Sequence, residues 1–457
     1  MKKQKVLLVG WGTETAKYVL AECVKLEKYD IYLATTKEIL PEIKRVFGRG
    51  RLLITNPYDE VVLCEDVGEF CLNNKIKFDI VTTFFEMCVY QTSFLADYLG
   101  IKNYLPIKNA LKTSVNKYLM RLSLQEKGVV QPKFFKFSKS SVDMAFDFFK
   151  KNCKKAIIKP IHSGHSYGVR FLEQGIDFSG FKKLVEEAMS DYSKGYDEWM
   201  KYEDINSLEF LLEEFIEEKI FSFDGFAKKS SEVEFIGTIE FELSDPPIMQ
   251  QIGHTSPIYS LTKKQIYNAK NYVKKIVKVL GLEYCGFHCE LKFIKNKPYL
   301  IEISGRLPGA IISRTYQNLS EYNLFNRFFG IFGNNKGFVK NKEFFKSESM
   351  KIIFTDRKVG IVRNEVKSGE KGSQDLFVKI RSRKDGEVLL EKSNLFGVWL
   401  YDIDVKSKKI SSRELIKRRN ELIRRQKISV NGNWYLYVRY FFNTIKHVLK
   451  KYVYVQF

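Results

Sequence analysis

The sequence has no long uninterrupted apolar run, and nothing in it approaches the roughly 20 apolar residues that a membrane-spanning helix requires. It also lacks a secretory leader. Lys2, Lys3 and Lys5 are basic, but the apolar run Val6–Val9 is too short for a signal sequence and meets Gly10 and Gly12. No Cys-x-x-Cys pair occurs among the 7 cysteines, an odd number scattered through a chain that needs no disulfide staples. These absences predict a cytoplasmic protein in a reducing compartment. Polar, aromatic-poor stretches are missing too, and 44% hydrophobic with 14% aromatic residues is a globular composition. At 457 residues the chain exceeds the size at which one core keeps growing, which predicts two or three domains around a shared cleft.

Acidic residues are outnumbered, 54 Asp and Glu against 76 Lys and Arg, leaving a net charge of +22. Such an excess suits an anionic partner: nucleic acid, a membrane surface or nucleotide phosphate. The charge is spread along a chain rich in Lys, Asn, Phe, Tyr and Ile, as an AT-rich genome produces, and only the C-terminal tail differs locally. Nothing resembling a nucleic-acid-binding module accompanies it.

The chain opens with a βαβ pattern: Lys5–Gly10 as a buried strand, a Gly10-Trp-Gly-Thr-Glu-Thr turn, Ala16–Lys28 as a helix and Asp30–Ala34 as a second strand. Its glycines match only part of a dinucleotide fingerprint, and no acidic ribose partner stands out. Phe78–Phe84 continues the parallel-sheet pattern, and Val89–Leu99 reads as a helix stopped by Gly100. Glu86 follows a strand, at the edge where open α/β sheets place ligand contacts.

From Thr113 the texture changes to a basic helix, Asn116–Lys127, closed by Gly128. Ala156–Pro160 is a short apolar strand carrying Lys159, followed by a loop with Ser163, Gly164, Ser166 and Gly168. Small side chains there let backbone N–H groups approach phosphoryl oxygens. Ser190–Ser207 reads as an exposed polar loop before the apolar stretch Phe210–Phe223. Thr262-x-x-Gln265 is a capping box opening a helix closed by Gly281.

Phe287–Ile294 and Tyr299–Ser304 alternate, with Lys295-Asn-Lys between them as a hairpin loop. Pairing Ile294 with Pro298 sets Glu290 opposite Glu302, with His288, Lys292, Leu300 and Ser304 on the same face. Like charges directly opposite destabilise by roughly 0.2–1 kcal/mol. A divalent cation would offset this, and Mg²⁺ is ordinarily held by one or two carboxylates together with substrate phosphates. Cys285, His288 and Cys289 lie close together, but no second ligand pair with zinc spacing follows.

In this order the parts resemble the ATP-grasp superfamily over about residues 1–332. The motifs are Asn-Lys-Tyr-Leu-Met-Arg around Lys117, Ile-Ile-Lys-Pro-Ile-His-Ser-Gly-His-Ser-Tyr-Gly-Val around Lys159, Leu-Leu-Glu-Glu-Phe-Ile at 211–216, His-Cys-Glu-Leu at 288–291 and Ile-Glu-Ile-Ser-Gly-Arg at 301–306. The resemblance implies an α/β ATP-grasp fold: a Rossmann-like pre-ATP-grasp domain (1–112), a small lobe with the phosphate loop (113–209), a large lobe with the metal site (210–332) and a β-rich, basic C-terminal extension (333–457). It implies ATP and Mg²⁺, with Mn²⁺ as a substitute. Lys117 and Lys159 would contact phosphates under the 163–168 loop, while Glu213, Glu214, Phe215 and Ile216 would line the adenine pocket. Glu290, Glu302 and Ser304 would sit at the metal, and Arg306 would steady the reacting phosphoryl or acyl phosphate.

Two positions depart from the family pattern: Ile220 where a ribose-holding carboxylate often stands, and Ser304 where an Asn is frequent. The resemblance implies an acyl phosphate attacked by an amine, or less often by a thiol. Arg306-Leu-Pro-Gly-Ala resembles carboxylate–amine ligases that take amino-acid or peptide-like substrates, with Glu86, His254 and His288 as substrate candidates. Biotin-dependent carboxylases share the ATP module, but their glycine-rich lid and carrier segment are missing. The alternatives are a carboxylate–thiol ligase acting on a carrier protein, and a nucleotide-binding, membrane-peripheral protein without turnover. The aromatic, basic tail Trp434–Phe457 packs on the ligase or a homodimer mate, or meets a carrier or an anionic membrane.

Overall fold

The computed structural model describes residues 3–10, 16–37, 43, 47, 49–162, 168–195, 208–243, 251–320, 322–333, 348–356, 360–364, 369–372, 376–382, 388–389, 398–407 and 428–431. Two compact units emerge: Met1–Phe241 with Ser256–Lys346, and Glu242–Thr255 with Ser347–Phe457.

The first unit begins with a parallel sheet. Strands β1 (Gln4–Val9), β2 (Tyr29–Thr35), β3 (Leu52–Ile54) and β4 (Ile80–Thr82) lie in the order β3-β2-β1-β4. The buried runs Val6–Val9 and Ile80–Thr82 need cover on both faces, as parallel strands flanked by crossover helices do. Helix α1 spans only Ala16–Val24, shorter than the predicted Ala16–Lys28. Lys25, Glu27 and Lys28 are exposed, so no buried face carries the helix further. Helix α2 (Glu60–Asn74) is capped by Asp59, whose side chain accepts from the N–H groups of Val61 and Val62. Helix α3 (Val89–Tyr98) ends just before Gly100, at φ +67°. The glycine-rich turn at 11–15 lies outside the described residues.

A four-stranded sheet follows, β5 (Phe134–Ser138), β6 (Lys155–Pro160), β7 (Arg170–Glu173) and β8 (Glu209–Glu214), ordered β5-β8-β6-β7. Helix α4 (Lys117–Glu126) precedes it, and α5 (Val142–Asn152) and α6 (Phe178–Gly195) flank it. The predicted polar loop 190–207 is helical as far as Gly195. Buried Phe181, Val185 and Ala188 give α6 an apolar stripe that carries it into the polar stretch. Residues 196–207 lie outside the described residues.

The stretch Phe210–Phe223 divides between two sheets, with β8 ending at Glu214 and β9 (Phe221–Ala227) opening another. In the first unit β9 lies with β10 (Val233–Leu243), β12 (Cys285–Ile294) and β13 (Lys297–Ser304) in the order β13-β12-β9-β10. Helix α7 (Lys263–Leu280) covers one face, burying Ala269, Val273, Ile276, Val277 and Leu280 against Phe223, Cys289 and Leu291. Both halves of its predicted capping box form, and Gly281 closes it at φ +66°. Helices α8 (Ala310–Leu319) and α9 (Leu324–Gly330) complete the unit.

The second unit contains β11 (Gln251–Ser256), β14 (Glu348–Asp356), β16 (Gly369–Gly372), β17 (Leu376–Ser382) and β19 (Val398–Ser407), with a separate sheet of β15 (Gly360–Asn364), β18 (Val388–Leu389) and β20 (Ile428–Asn431). Strands β14, β15, β17, β18 and β19 lie within 333–457, the stretch expected to be β-rich. The tail Trp434–Phe457 lies outside the described residues. No helix among the described residues is long and apolar enough to cross a membrane. All 7 cysteines are free.

Candidate active site

The β12–β13 hairpin sets Glu290 opposite Glu302, as the alternation of the two strands predicts, but by another route. Lys295 and Asn296 both take positive φ, 47° and 67°, which closes a two-residue turn and pairs Ile294 with Lys297 rather than Pro298. That register alone would turn Glu302 away from Glu290. A one-residue bulge at Ile301 restores the pairing. The same bulge corrects the expectation for Leu300, which pairs with Leu291 and lies fully buried in the core on the opposite face.

Both glutamates are partly exposed, each at 29% of its side chain. Burial, reinforced by the charges of Glu86 and Glu290, pushes the Glu302 carboxyl above its usual range even though Lys117 and Lys159 oppose the shift. Lys117, buried at the start of α4, places Nζ 3.9 Å from Glu302 Oε2. Asn116 caps that helix by accepting from the N–H of Leu119, and the Lys117 N–H donates to the carbonyl of Ile161. These contacts fix the lysine's root beside the start of the predicted phosphate loop.

Lys159 leaves β6 for a buried carboxylate, with Nζ 2.7 Å from Glu213 Oε2. Arg121, fully buried one helical turn after Lys117, donates from Nε to Glu213 Oε1 at 2.6 Å and from Nη2 to Oε2 at 3.2 Å. Despite burial, the two cations hold Glu213 down to about 2, while burial pulls Lys159 below its usual value. Glu213 was expected at an adenine pocket, but its side chain is committed to this ion triad. Glu214 accepts from the N–H of Lys133 at 3.4 Å. Phe215 meets Phe171 edge-on and lies under Lys292 Nζ at 4.4 Å, while the Ile216 carbonyl accepts from Lys292 Nζ at 2.6 Å.

Residues 163–167, with Ser163, Gly164 and Ser166, lie outside the described residues. Gly168 has φ +66°, and a Cβ there would meet Pro160 Cγ at 2.8 Å, so only glycine can pass this close to the end of β6.

Arg306 follows β13 and pairs with Glu86, from the short turn after β4. Burial alone would raise the Glu86 carboxyl, but the charges of Arg306 and Lys117 hold it below its usual range. A Cβ at Gly286 would stand 2.6 Å from the Leu307 nitrogen, so glycine on β12 lets the 305–307 backbone approach. Glu86 Oε1 and Ser304 Oγ are both buried and form no well-aligned hydrogen bond among the described residues, although the Ser304 hydroxyl lies near enough to help hold the Glu86 carboxyl down. Unsatisfied buried oxygens beside a carboxylate pair fit a site completed by a ligand. Among the described residues no group of three or more His, Cys, Asp or Glu is arranged to hold a metal. Two carboxylates and a hydroxyl fit Mg²⁺, which takes its remaining oxygens from phosphates and water.

His288 is held between carboxylates, with Nδ1 2.6 Å from Asp224 Oδ1 and Nε2 3.2 Å from Glu290 Oε1. Burial alone would lower its pKa, but Asp224 and Glu290 push it up to about 10. Asp224, fully buried, also accepts from Ser222 Oγ at 2.8 Å and from the Tyr316 hydroxyl. His254 falls in the second unit, within strand β11 rather than a loop, fully buried with Nδ1 3.1 Å from Gln251 Nε2. Sequence reasoning passed over Arg121 and Asp224. The four-residue spacing from Lys117 to Arg121 was the available signal for the first, since it puts both cations on one helix face.

Residues 153–314 match the family model described as ATP-grasp domain. That stretch is an ATP-grasp domain, and the N-terminal parallel sheet, the β5-β8-β6-β7 sheet and the β13-β12-β9-β10 sheet together have the ATP-grasp fold. The structure is similar to an L-amino acid ligase from Bacillus licheniformis (17% identity, TM-score 0.71, 94% of this chain and 100% of that one). It is similar as well to phosphoribosylglycinamide synthetase from Anaerococcus prevotii (15% identity, TM-score 0.63, 94% and 100%). A third similar structure is the biotin carboxylase domain of Hydrogenobacter thermophilus 2-oxoglutarate carboxylase in complex with MgADP, ADP and bicarbonate (16% identity, TM-score 0.68, 94% and 91%). No curated protein sequence matches the chain.

Proposed function

We propose that the protein is an ATP-dependent ligase that activates a substrate carboxylate as an acyl phosphate and couples it to an amine, with an amino-acid or peptide-like compound as substrate. The observation that carries this reading is the facing pair Glu290 and Glu302, with Lys117 beside it and Glu86, Ser304 and Arg306 on its flank. A solved L-amino acid ligase of the same fold supports the amine acceptor.

Glu290, Glu302 and Ser304 would hold Mg²⁺, which when bound offsets charge spreading over the transferring phosphoryl oxygens. Lys117 and Lys159 contribute positive charge along the phosphates, and Phe215 with Ile216 borders the base. Arg306, held by Glu86, steadies the phosphorylated carboxylate, and the loop ending at Gly168 excludes water. Glu86 and His288 face the substrate. The domain division at 112, 209 and 332 belongs to the same proposal.

The test is ADP release over a panel of amino acids and dipeptides, with products followed by mass spectrometry. Release that needs both a carboxylate and an amine supports the ligase. Release with a thiol acceptor alone, or tight Mg-ATP binding without turnover on any substrate, would overturn it.

A further inference from the structure

The bulge at Ile301 turns Glu302 toward Glu290, and its backbone is not satisfied by the sheet. Among the described residues β13 is an edge strand of the first unit's sheet, so its outward N–H and C=O groups meet no further strand there. Side chains from two helices take that place. Arg121 on α4 donates from Nη1 to the Leu300 carbonyl at 2.9 Å and from Nη2 to the Ile301 carbonyl at 2.6 Å. From α7, the Tyr272 hydroxyl accepts from the Leu300 N–H at 3.1 Å and donates to the Val130 carbonyl. Gln131 Nε2 donates to the Arg121 carbonyl at 2.7 Å, holding the helical turn that carries the guanidinium.

The remaining N–H groups of Arg121 grip Glu213, which also grips Lys159. One fully buried guanidinium therefore joins two things far apart in sequence: the strand irregularity that orients a carboxylate, and the carboxylate that orients a lysine. A regular hairpin closed by the Lys295–Asn296 turn would point Glu302 into the core side of the sheet, where Leu291 and Leu300 pack.

We propose that Arg121 is a positioning residue for the metal carboxylates. By holding the Leu300 and Ile301 carbonyls it fixes the bulge that turns Glu302 to face Glu290, and through Glu213 it sets Lys159 in the same frame. The proposal rests on reading Glu290 and Glu302 as the metal pair. Arg121→Lys keeps a cation beside Glu213 but cannot reach both carbonyls, because the planar fork of donors is lost.

The experiment measures Mn²⁺ affinity by electron paramagnetic resonance at saturating ADP, and metal-free ADP affinity by calorimetry, on the full chain with its fold checked by circular dichroism. In Arg121→Lys, Mn²⁺ binding should weaken about ten- to a hundredfold while metal-free ADP affinity changes by less than about threefold. Amide hydrogen exchange across 297–304 should quicken. Wild-type Mn²⁺ affinity together with wild-type protection would overturn the proposal.

If Arg121→Lys does not fold, Tyr272→Phe tests the same bulge from α7, because it removes the hydroxyl that holds the Leu300 N–H. It should quicken exchange across 297–304 and weaken Mn²⁺ binding while sparing metal-free ADP affinity, and wild-type protection with wild-type Mn²⁺ affinity would refute the role of the bulge. Glu302→Gln is the control for the underlying reading. Unchanged Mn²⁺ affinity in that variant would refute the metal pair itself, whereas loss there with none in Arg121→Lys and Tyr272→Phe would refute only the positioning.

Discussion

Lys159 Nζ and Arg121 Nε approach Glu213 from its two oxygens, at 2.7 Å from Oε2 and 2.6 Å from Oε1. A buried carboxylate shared by two cations carries a definite stability signature. Its folded pKa, about 2, lies below the ordinary 4.5, so the stabilisation is complete above pH 4.5 and is lost as pH falls toward 2. Glu213→Gln should lower stability by about 3 kcal/mol at pH 7, with the gap from wild type closing across that acid window. Urea unfolding at a series of pH values measures it, and a pH-independent gap would contradict the triad's charge.

Lys292 supplies a signature of the same slope at the alkaline end of the pH range. Burial lowers its pKa from 10.5 to about 8, so the unfolded chain binds more protons between those values and the wild type gains stability as pH rises through them. Lys292→Met lacks that gain. The difference between the two proteins should shift by about 3 kcal/mol in favour of the wild type from pH 7 to above 10.5. Chemical unfolding at both ends of the range checks it.

On the proposed reading, Glu290→Gln and Lys159→Ala should each reduce substrate-dependent ADP release by about a hundredfold or more, because each would remove charge facing the transferring group. Coupled spectrophotometric assay of ADP gives the number. Unchanged turnover in either variant would remove that residue from the site.

Ile220 offers no hydrogen bond to a ribose hydroxyl. Ile220→Glu should tighten ADP binding by about tenfold, the equivalent of one charge-assisted hydrogen bond. Calorimetric titration decides it, and weaker or equal binding would place the ribose elsewhere.

The fold was largely legible because its signals are local: buried runs for parallel strands, a complete capping box at Thr262, and glycines stopping helices at 100 and 281. The Glu290–Glu302 pairing was legible only in outcome. Alternation counts residues from the turn, and an assumed three-residue loop and an unseen bulge each shift that count by one, so the two errors cancelled. Arg121 was hidden for a different reason. A cation on an amphipathic helix ordinarily reads as solvated, and only long-range partners, Glu213 and the carbonyls of Leu300 and Ile301, reveal it as buried. Asp224 likewise needs His288 and Tyr316, 64 and 92 residues away, before its role shows.

The bond from Glu86 to Arg306 bears on how far this protein can be trimmed. The phosphate-side motifs all lie beyond residue 112, yet Asn103 Nδ2 donates to the Phe332 carbonyl, Asn109 Nδ2 donates to the Gly281 carbonyl at 2.9 Å, and the Tyr29 ring packs against Phe329. A gene fragment encoding 113–332 would retain every family motif and still leave Arg306 without Glu86 and the α9 aromatics without Tyr29 and Phe84. The smallest expressible piece with a working site must therefore start at the first strand.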